Sequence, residues 1–524
     1  MTYVAAESRR SRTGISKVLV AMLAMSMMVL SACTPTAVPS GTATTGDTSA
    51  PAPEAPRTLK IAATLEPASM DPWHNPAASI PQVLLYNVYE TLVKVDSSGL
   101  LKPLLAQAWE ISDDRLTYTF HLNPAAKFAS GAAVDAAAVV ANINRLKADT
   151  KLVDALGLQL AVVASAEALD ATKVVIKLNK PSFMWLYDMS STLGMILDPA
   201  ETGDLATSTA GSGPYVFKAQ NRGQNVILAA NTAYWANPAR FDEVTFTYFT
   251  DPNAENAALS SGDQDVISNL QAPDALPQFA DTSQFTTTSG TTNGEVVLGL
   301  NHESKALAKL KVRQALTMAI DRQALRDTVW NGQGALIGSM AVPTDPWYED
   351  LTGTNPYDPE KAKALLKQAG YESGLTLRLR VPVIPYAVKS AQFVASQLRD
   401  IGVKATIEEL EFSRWIDEVY TKADYDLTIV AHVEPRDLGK FADPKYYWRY
   451  GDPEFASLYA AADSAASDEQ AVAGFKQAVK YLADDCAAIW LFSLPNLVIT
   501  KSNISGVSTN APGLSFDLTS ITSR

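Results

Sequence analysis

The densest group of side chains with binding chemistry lies between His432 and Asp452. These 21 residues hold one imidazole, several carboxylates and guanidinium groups, and five aromatic rings, without the apolar spacing of a helix or a strand. A carboxylate pairs with an ammonium group, and a guanidinium group holds a carboxylate through two parallel hydrogen bonds. Loops of this length inside a compact domain are functional or disordered, and the aromatic residues argue against disorder. We therefore predict that this segment, the 432–452 loop, forms part of a binding site.

The patterns of catalytic residues do not favour an enzyme. The chain has four histidines, and the closest two, His74 and His121, are 47 positions apart, so no helical pair of histidines can clamp a metal. The sequence has no Gly-x-Ser-x-Gly elbow and no serine followed by lysine three residues later. It also has no phosphate-binding loop, so the chain cannot power transport by itself. A secreted hydrolase built on scattered carboxylates remains the alternative from another class.

The elements that precede the 432–452 loop are predicted to form a β-α-β-α-β unit. Apolar periodicity and the terminating Gly402 give their limits. In chain order they are strand 375–381, helix 387–401, strand 403–407, helix 413–421 and strand 425–431. Parallel strands end at the same edge of a sheet, and ligands bind beyond that edge. The loop leaves the last strand, so we expect it at the binding edge.

Other parts of the chain also show regular spacing of apolar residues or clear helix-capping signals. Apolar residues from Val312 to Ile320 predict one helix that ends near Asn331 and Gly332. Asp358-Pro359-Glu360 is typical of a helix start, and Gly370 of its end. The first half mixes predicted strands with a helix that Asp135 caps, which indicates an α+β arrangement. Those strands are 58–65, 116–122 and 174–178.

The N-terminus resembles that of an exported bacterial lipoprotein. Basic residues precede a 13-residue apolar run, which is short for a membrane span and typical of a signal peptide. The run ends in Leu-Ser-Ala-Cys33, so we predict a signal peptide at 1–32 and lipidation of Cys33. Residues 33–57 are rich in Thr, Pro, Ala, Ser and Gly and predict a disordered tether. The predicted location is the extracytoplasmic face of the cell membrane, or the periplasm if the host has an outer membrane.

Length and charge limit the remaining classes. Single cores stop growing near roughly 250–300 residues, so 524 residues predict at least two domains. The net charge is -13, and removal of the first 32 residues, with four basic and one acidic side chains, leaves -16. Such a body is poorly suited to a phosphate backbone, which excludes nucleic acid as the expected partner. The second cysteine, Cys486, lies in an apolar segment and is predicted to be buried.

Nine short stretches, taken in order, resemble one protein family. They are Leu65–Pro72, Leu85–Leu92, Leu104–Glu110, Tyr118–Leu122, Lys127–Gly131, Gly211–Tyr215, Asn231–Trp235, Val312–Arg322 and Tyr357–Ala362. Together they resemble the family 5 extracellular solute-binding proteins, the peptide- and nickel-binding components of ABC importers. The chain departs from the family after Gly131, where an acidic pair is replaced by Ala136-Ala137-Ala138. Most of these stretches are expected to be scaffold, so the ligand site has to come from elsewhere.

The resemblance implies an α/β, bilobal clamshell of the periplasmic-binding-protein type (type II, cluster C). The first lobe is expected at 58–294, with an extra small α+β domain at about 85–180. The second lobe is expected at 295–492, and a C-terminal tail, 493–524, returns to the first lobe. The expected partners are a small-molecule or peptide ligand and the permease and ATPase subunits of the importer. A monomer without a cofactor is expected.

The function that the resemblance implies is capture of di- or oligopeptides between two closing lobes. Asp437 roughly matches the position where peptide-binding relatives place an acid for the amine, with Glu434 and Asp443 as alternatives. A peptide carboxylate is expected to bind Arg436 or Arg449.

The remaining predicted contacts are aromatic groups and a second side of the cleft. Tyr447 and Trp448 are expected to wall the pocket, and Trp73-His74-Asn75 to face it from the first lobe. His432 with Glu434 offers nickel or a nickel chelate as an alternative ligand, and opines and sugars also stay open.

Overall fold

The computed structural model describes residues 57–524. The predicted signal peptide, the lipidation site Cys33 and nearly all of the predicted tether lie outside the described residues. Within the described range, no helix combines the length and the apolar character needed to cross a membrane.

Eighteen strands make up four sheets in the described chain. They are β1 Thr58–Ala63, β2 Val93–Val95, β3 Leu101–Pro103, β4 Ala106–Ile111, β5 Thr117–Leu122, β6 Val163–Asp170, β7 Lys173–Leu178, β8 Tyr215–Asn221, β9 Asn225–Ala230, β10 Glu243–Tyr248, β11 Val266–Ile267, β12 Phe285–Leu300, β13 Leu375–Pro382, β14 Val403–Leu410, β15 Leu427–His432, β16 Ile489–Lys501, β17 Ile504–Ser505 and β18 Thr522–Ser523.

Twelve α-helices lie between these strands in the described residues. They are α1 Ser79–Leu84, α2 Ala136–Ala148, α3 Asp154–Leu160, α4 Trp185–Asp188, α5 Pro252–Ser261, α6 Leu310–Met318, α7 Arg322–Val329, α8 Pro359–Gln368, α9 Pro385–Asp400, α10 Phe412–Trp415, α11 Pro453–Asp463 and α12 Asp468–Asp484. A π-helical turn, Ile416–Thr421, continues α10, and 3₁₀ turns occupy Thr192–Gly194, Pro273–Phe279 and Asp437–Ala442.

A ten-stranded sheet runs through the molecule in the order β14-β13-β15-β12-β16-β11-β1-β10-β9-β8. Its β13 pairs in parallel with both β14 and β15. The carboxyl ends of these three strands therefore meet at one edge, where the 432–452 loop begins. The β-α-β-α-β prediction is confirmed in element type, order and direction.

Two sets of buried apolar residues define two lobes. The first core draws on residues between 59 and 285 and on 497–521, and we call this part the first lobe. The second core and an adjoining aromatic cluster draw on 296–492, apart from Met184 in the aromatic cluster, and we call this part the second lobe. A four-stranded antiparallel sheet, β4-β5-β7-β6, packs with α2 against the first core.

Among the described strands, only β12 and β16 belong to the sheet on both sides of the lobe division, and they pair with each other along most of their length. The pairing register shifts between Thr291 and Glu295 and again between Val296 and Val297. Bulges of this kind bend the strands and interrupt the ladder, so they mark the place where the two lobes can change their angle.

The predicted helix limits are mostly correct, with one correction. Asp135 and Asp358 each cap a helix by accepting a hydrogen bond from a backbone N–H three residues later, at 2.8 and 2.9 Å. The single helix expected from Val312 to about Asn331 is wrong. It breaks into α6 and α7 because the carboxylate of Asp321 accepts the N–H of Ala324 at 3.0 Å and starts a new helix.

Candidate ligand-binding site

A cavity of about 120 Å³ opens between the two lobes. The first lobe contributes Asn75, Tyr187 and Asp188 to its wall, and the second contributes Glu434 and Pro435. A wider groove of about 840 Å³ lies beside α3, but no residue of the 432–452 loop lines it. The cavity between the lobes is therefore the site to which the predicted binding loop contributes.

The imidazole of His432 is held from both sides by the same loop. Its Nδ1 lies 3.2 Å from Oδ2 of Asp437, and its Nε2 lies 2.9 Å from the hydroxyl oxygen of Tyr447. The rings of His432 and Tyr447 stack with 5° between their planes. The 3₁₀ turn that starts at Asp437 folds the chain back onto the end of β15. The sequence places these three residues in one loop, and the fold makes them one hydrogen-bonded group.

A cluster of carboxylates lies next to this group. Glu295 on β12 pairs with His432 across the strands, and the Asp437 side chain is only 3% exposed. Oε2 of Glu295 and Oδ1 of Asp437 are buried and have no hydrogen-bond partner among the described residues. A buried carboxylate oxygen without a partner destabilises the fold unless a cation or a donor joins it. The arrangement is therefore suited to a cationic ligand group.

The pKa shifts of these acids have the same physical origin. Burial, together with repulsion from Asp437 and Asp345, raises the pKa of Glu295 well above its usual range. Burial also raises the pKa of Asp437, against the opposing hydrogen bond from His432. Burial raises the pKa of Asp345 to about 6, although Arg436 opposes the shift. Without a cationic partner, these acids therefore keep their protons to a higher pH than exposed carboxyl groups do.

Arg436 connects the two lobes. Its guanidinium carbon lies 3.5 Å from the ring centre of Tyr187 and 5.2 Å from that of Trp347. Its Nη2 donates to the backbone oxygen of Gly99 at 3.2 Å, and its Nε lies 3.8 Å from Oδ1 of Asp345. Arg436 has a positive φ of 57°, a conformation that non-glycine residues adopt at a cost. The guanidinium group thus contacts both lobes, although its buried Nε has no hydrogen-bond partner among the described residues. Its binding of a peptide carboxylate stays a prediction.

The two aromatic residues expected as pocket walls lie deeper than predicted. Tyr447 is 2% exposed and Trp448 is fully buried, and both belong to the aromatic cluster of the second lobe. Trp448 stacks on Phe441 with 4.1 Å between ring centres. Neither lines the cavity between the lobes. Both rings pack inside the second lobe, and the hydroxyl of Tyr447 lies 2.9 Å from Nε2 of His432. Their contact with a ligand stays a prediction.

The three residues of the first-lobe stretch 73–75 lie in different environments. Trp73 is fully buried under the guanidinium group of Arg145. His74 is held at Nδ1 by Asp71 at 2.6 Å and at Nε2 by Asp149 at 2.7 Å, so both ring nitrogens are already engaged. Asn75 lines the cavity. Of the three residues, only Asn75 is placed where the prediction puts it.

The last two candidates of the loop lie at its outer part. Arg449 has Glu303 as its ionic partner at 3.9 Å and donates to the backbone oxygen of Lys445. Asp443 is exposed and its carboxylate accepts the N–H of Lys445. Neither residue lines the cavity.

Sequence reasoning missed Asp188, Asp345 and Glu295. Asp188 ends a four-residue helix that carries no motif. Glu295 had a usable signal, because it is the one charged residue in the strand segment Glu295–Leu300, whose residues are all buried. A carboxylate in such a strand needs a partner or a function.

The fold is a bilobal α/β architecture of the periplasmic-binding-protein type. The family model of bacterial extracellular solute-binding proteins, family 5 (middle part), matches residues 101–450, and the chain belongs to this family. It is therefore the solute-binding component of an ABC importer, and members of this family act outside the cytoplasm.

Relatives and solved structures agree with this assignment. The glutathione-binding protein GsiB of Pectobacterium atrosepticum is 29% identical over 375 residues, which cover 68% of this chain and 69% of that protein. Di/tripeptide-binding protein 1 of Pseudomonas aeruginosa is 26% identical over 384 residues, covering 67% and 71%. The crystal structure of NikA from Brucella suis with Fe(III)-EDTA superposes with a TM-score of 0.79 over 89% of this chain and all of that one, at 21% identity. At 21% identity, this structural similarity shows that the two proteins share a fold.

Proposed function

We propose that this protein binds short peptides, and that the carboxylate cluster around Asp437 receives the peptide's amino group. The observation that carries the proposal is the pair of buried, unpartnered oxygens on Asp437 and Glu295. An α-ammonium group has three donors and one positive charge, so it can satisfy both oxygens and relieve their repulsion. The names of two relatives, a glutathione-binding and a di/tripeptide-binding protein, support the same ligand class.

Calorimetry with Ala-Ala and Ala-Ala-Ala tests this function. We expect binding by the unchanged protein and a loss of roughly 30- to 1000-fold in affinity for Asp437→Asn, because the amine loses a buried charged partner. Asp443→Asn is the matched control, since Asp443 belongs to the same loop but is exposed. Equal losses in both variants, or no heat with any short peptide, would contradict the proposal.

A nickel complex is the second candidate, and one observation favours it. Ligand atoms of His432, Glu434 and Asp437 all lie within 4.8 Å of one another. An imidazole and two carboxylates suit a divalent transition metal. Titration with Ni(II), alone and with free histidine, separates this candidate from the first. The nickel function would be established if the protein binds Ni(II) but no peptide, and if His432→Ala abolishes the Ni(II) binding.

We propose further that Cys33 carries the lipid anchor and that the lobes divide at 294/295 and 492/493. The lipobox-like sequence supports the first point. The register shifts in β12 support the second. Expression of Cys33→Ser should move the protein from the membrane fraction to the soluble fraction. Retention of the variant at the membrane would contradict the anchor.

A further inference from the structure

The acidic character of the cavity extends across the cleft to the first lobe. Asp188 is half-buried at the end of α4 and lines the same cavity as Glu434 of the second lobe. Within the described residues, its carboxylate has one hydrogen-bond partner, Nε2 of Gln159 at 3.0 Å. No basic side chain of that part of the chain lies within 4.0 Å of it. The cavity therefore has a carboxylate on each side.

The site contains more acids than a single amino group can neutralise. Among the described residues, three basic side chains influence these acids: Arg436, Lys440 and, at Asp463, Lys180. Arg436 is already engaged by Asp345, and the imidazole of His432 acts on Asp437. Six carboxylates interact with these bases or with one another: Asp188, Glu295, Asp345, Glu434, Asp437 and Asp463. A peptide amine at Asp437 and Glu295 leaves Asp188 without an ion-pair partner within 4.0 Å among the described residues, because Arg436 and Lys440 act on it only from farther away.

The cluster also contains polar groups that require a partner. Oδ1 of Asp437 and Oε2 of Glu295 are unpartnered in side chains that are more than nine-tenths buried. Asp437 has a carboxylate oxygen within 4.8 Å of one of Glu434, which lines the cavity. The acidic cluster therefore reaches the cavity from the second lobe at Glu434, while Asp188 lines the same cavity from the first lobe.

We propose that the protein selects ligands with two positive charges, such as dipeptides that contain lysine or arginine, and that Asp188 binds the second charge. This inference rests on the proposed function, because it assigns the peptide amine to Asp437. A cation between Asp188 and Glu434 contacts both lobes at once, so it stabilises the closed form more than a neutral side chain does.

The electrostatics of Asp188 support the assignment. Burial, with repulsion from Asp463, raises the pKa of Asp188 to about 8, although Arg436 and Lys440 oppose the shift. The carboxylate is thus held where its charge is poorly stabilised. A bound ammonium or guanidinium group supplies that stabilisation directly.

Calorimetry on the mature protein with matched dipeptides tests the inference. Lys-Ala and Ala-Lys are compared with the neutral analogues in which norleucine replaces lysine. We expect at least one lysine peptide to bind roughly tenfold or more tightly than its norleucine analogue, and Asp188→Asn to abolish most of that ratio. Asp154→Asn is the control, because Asp154 is an exposed acid at the start of α3, next to cavity residues. It should leave the ratio unchanged.

The outcomes separate the two proposals. If Ala-Ala binds but lysine and norleucine peptides bind equally, the inference fails and the peptide function stands. A preference for lysine that Asp188→Asn leaves intact also overturns the role of Asp188. If no peptide binds but putrescine or cadaverine does, the peptide function fails while selection of two charges stands. The ratio of lysine to norleucine affinity in the unchanged protein needs no variant. It therefore tests the selection of two charges even if Asp188→Asn misfolds.

Discussion

Single residues explain why several sequence stretches shared with the family are scaffold. Glu90 is 1% exposed and accepts hydrogen bonds from Ser212 Oγ at 2.8 Å, the hydroxyl of Tyr234 at 2.7 Å and Nε1 of Trp235 at 2.9 Å. These partners come from two other family-like stretches, 211–215 and 231–235. Burial raises the pKa of Glu90, while the three donors oppose the shift. Stretches far apart in sequence thus meet at one buried acid of the first lobe.

Replacement of Glu90 tests this structural role. We expect Glu90→Ala to lower the free energy of unfolding by about 2 kcal/mol, because it leaves buried donors without an acceptor. Glu90→Gln should stay within about 1 kcal/mol of the unchanged protein, since its amide can accept from Trp235 and donate to Tyr234. Urea denaturation followed by tryptophan fluorescence measures both. Equal stability of the alanine variant and the unchanged protein would show that the three hydrogen bonds contribute little.

His74, which the sequence predicts as a ligand contact, also leads to a prediction about how the free energy of unfolding depends on pH. The hydrogen bond to Asp71 and the second one to Asp149 raise its pKa, against the effect of burial. A raised pKa in the folded state gives stability that is complete below the unfolded value of about 6.5 and is lost as pH rises through the folded pKa. The unfolding free energy should therefore fall more between pH 5.5 and 8.5 in the unchanged protein than in His74→Gln. His121→Gln, which removes an exposed pair with Glu110, is the control and should keep the full pH dependence.

At the scale of elements, a short segment of the first lobe docks on the second. Asp463, the last residue of α11, accepts hydrogen bonds from Ser182 Oγ at 2.9 Å and the N–H of Met184 at 3.1 Å. Between these two residues, Phe183 packs on Trp347 with 6.3 Å between ring centres. These contacts join the first lobe directly to the second lobe, without a ligand between them.

The two lobes also approach closely at Gly99, whose backbone oxygen accepts the hydrogen bond from Arg436. A Cβ atom at Gly99 would lie 2.4 Å from the backbone oxygen of Thr344 in the second lobe. A side chain at position 99 would therefore push the two lobes apart. Gly99 also has a φ of 78°, so the turn itself favours glycine.

Loss of the docking contact should favour the open form. We expect Asp463→Ala to raise the dissociation constant for a bound dipeptide by several-fold and to increase the radius of gyration in X-ray scattering, because the closed form loses two hydrogen bonds. Asp468→Ala is the comparison. It removes a second contact between the lobes, the ion pair of Arg115 with Asp468 at 2.7 Å, but the Asp468 side chain is 65% exposed, so a small effect is expected. Identical scattering and affinity for Asp463→Ala and the unchanged protein would contradict this role.

At the scale of the whole molecule, both the body of the protein and the wall of the cleft are acidic. The chain without its first 32 residues has a net charge of -16, and the cavity between the lobes is lined by Asp188 and Glu434. A field of one sign that converges on a cleft attracts ligands of the opposite sign over a distance that salt limits to about 10 Å at 0.1 M.

The association rate should therefore depend on salt according to ligand charge. Stopped-flow fluorescence is expected to show a slower association of Lys-Ala when sodium chloride rises from about 10 to 150 mM, whereas Ala-Ala, which is neutral overall, should change little. The same slope for both peptides would mean that the field of the protein does not guide the ligand.

The sequence by itself determined several elements and their order. Apolar periodicity and capping residues depend on neighbours three or four positions away, so they are readable without a fold. For this reason the β-α-β-α-β unit, the ends at Gly370 and Gly402 and the burial of Cys486 are confirmed. The one failure of this kind, at Asp321, arose because a capping residue interrupted an otherwise continuous apolar pattern.

Only the tertiary structure decided which side chains face the cavity. Within the 432–452 loop, Glu434 reaches it while Tyr447 and Trp448 turn into the core, although all three have the chemistry to bind a ligand. Asp188 meets Glu434 across a sequence separation of 246 residues, which no local pattern encodes. Burial and lobe contact depend on the packing of the whole chain. The sequence therefore singled out the loop that reaches the cavity, and the fold determined which of its residues line the cavity and which acid lies on the opposite wall.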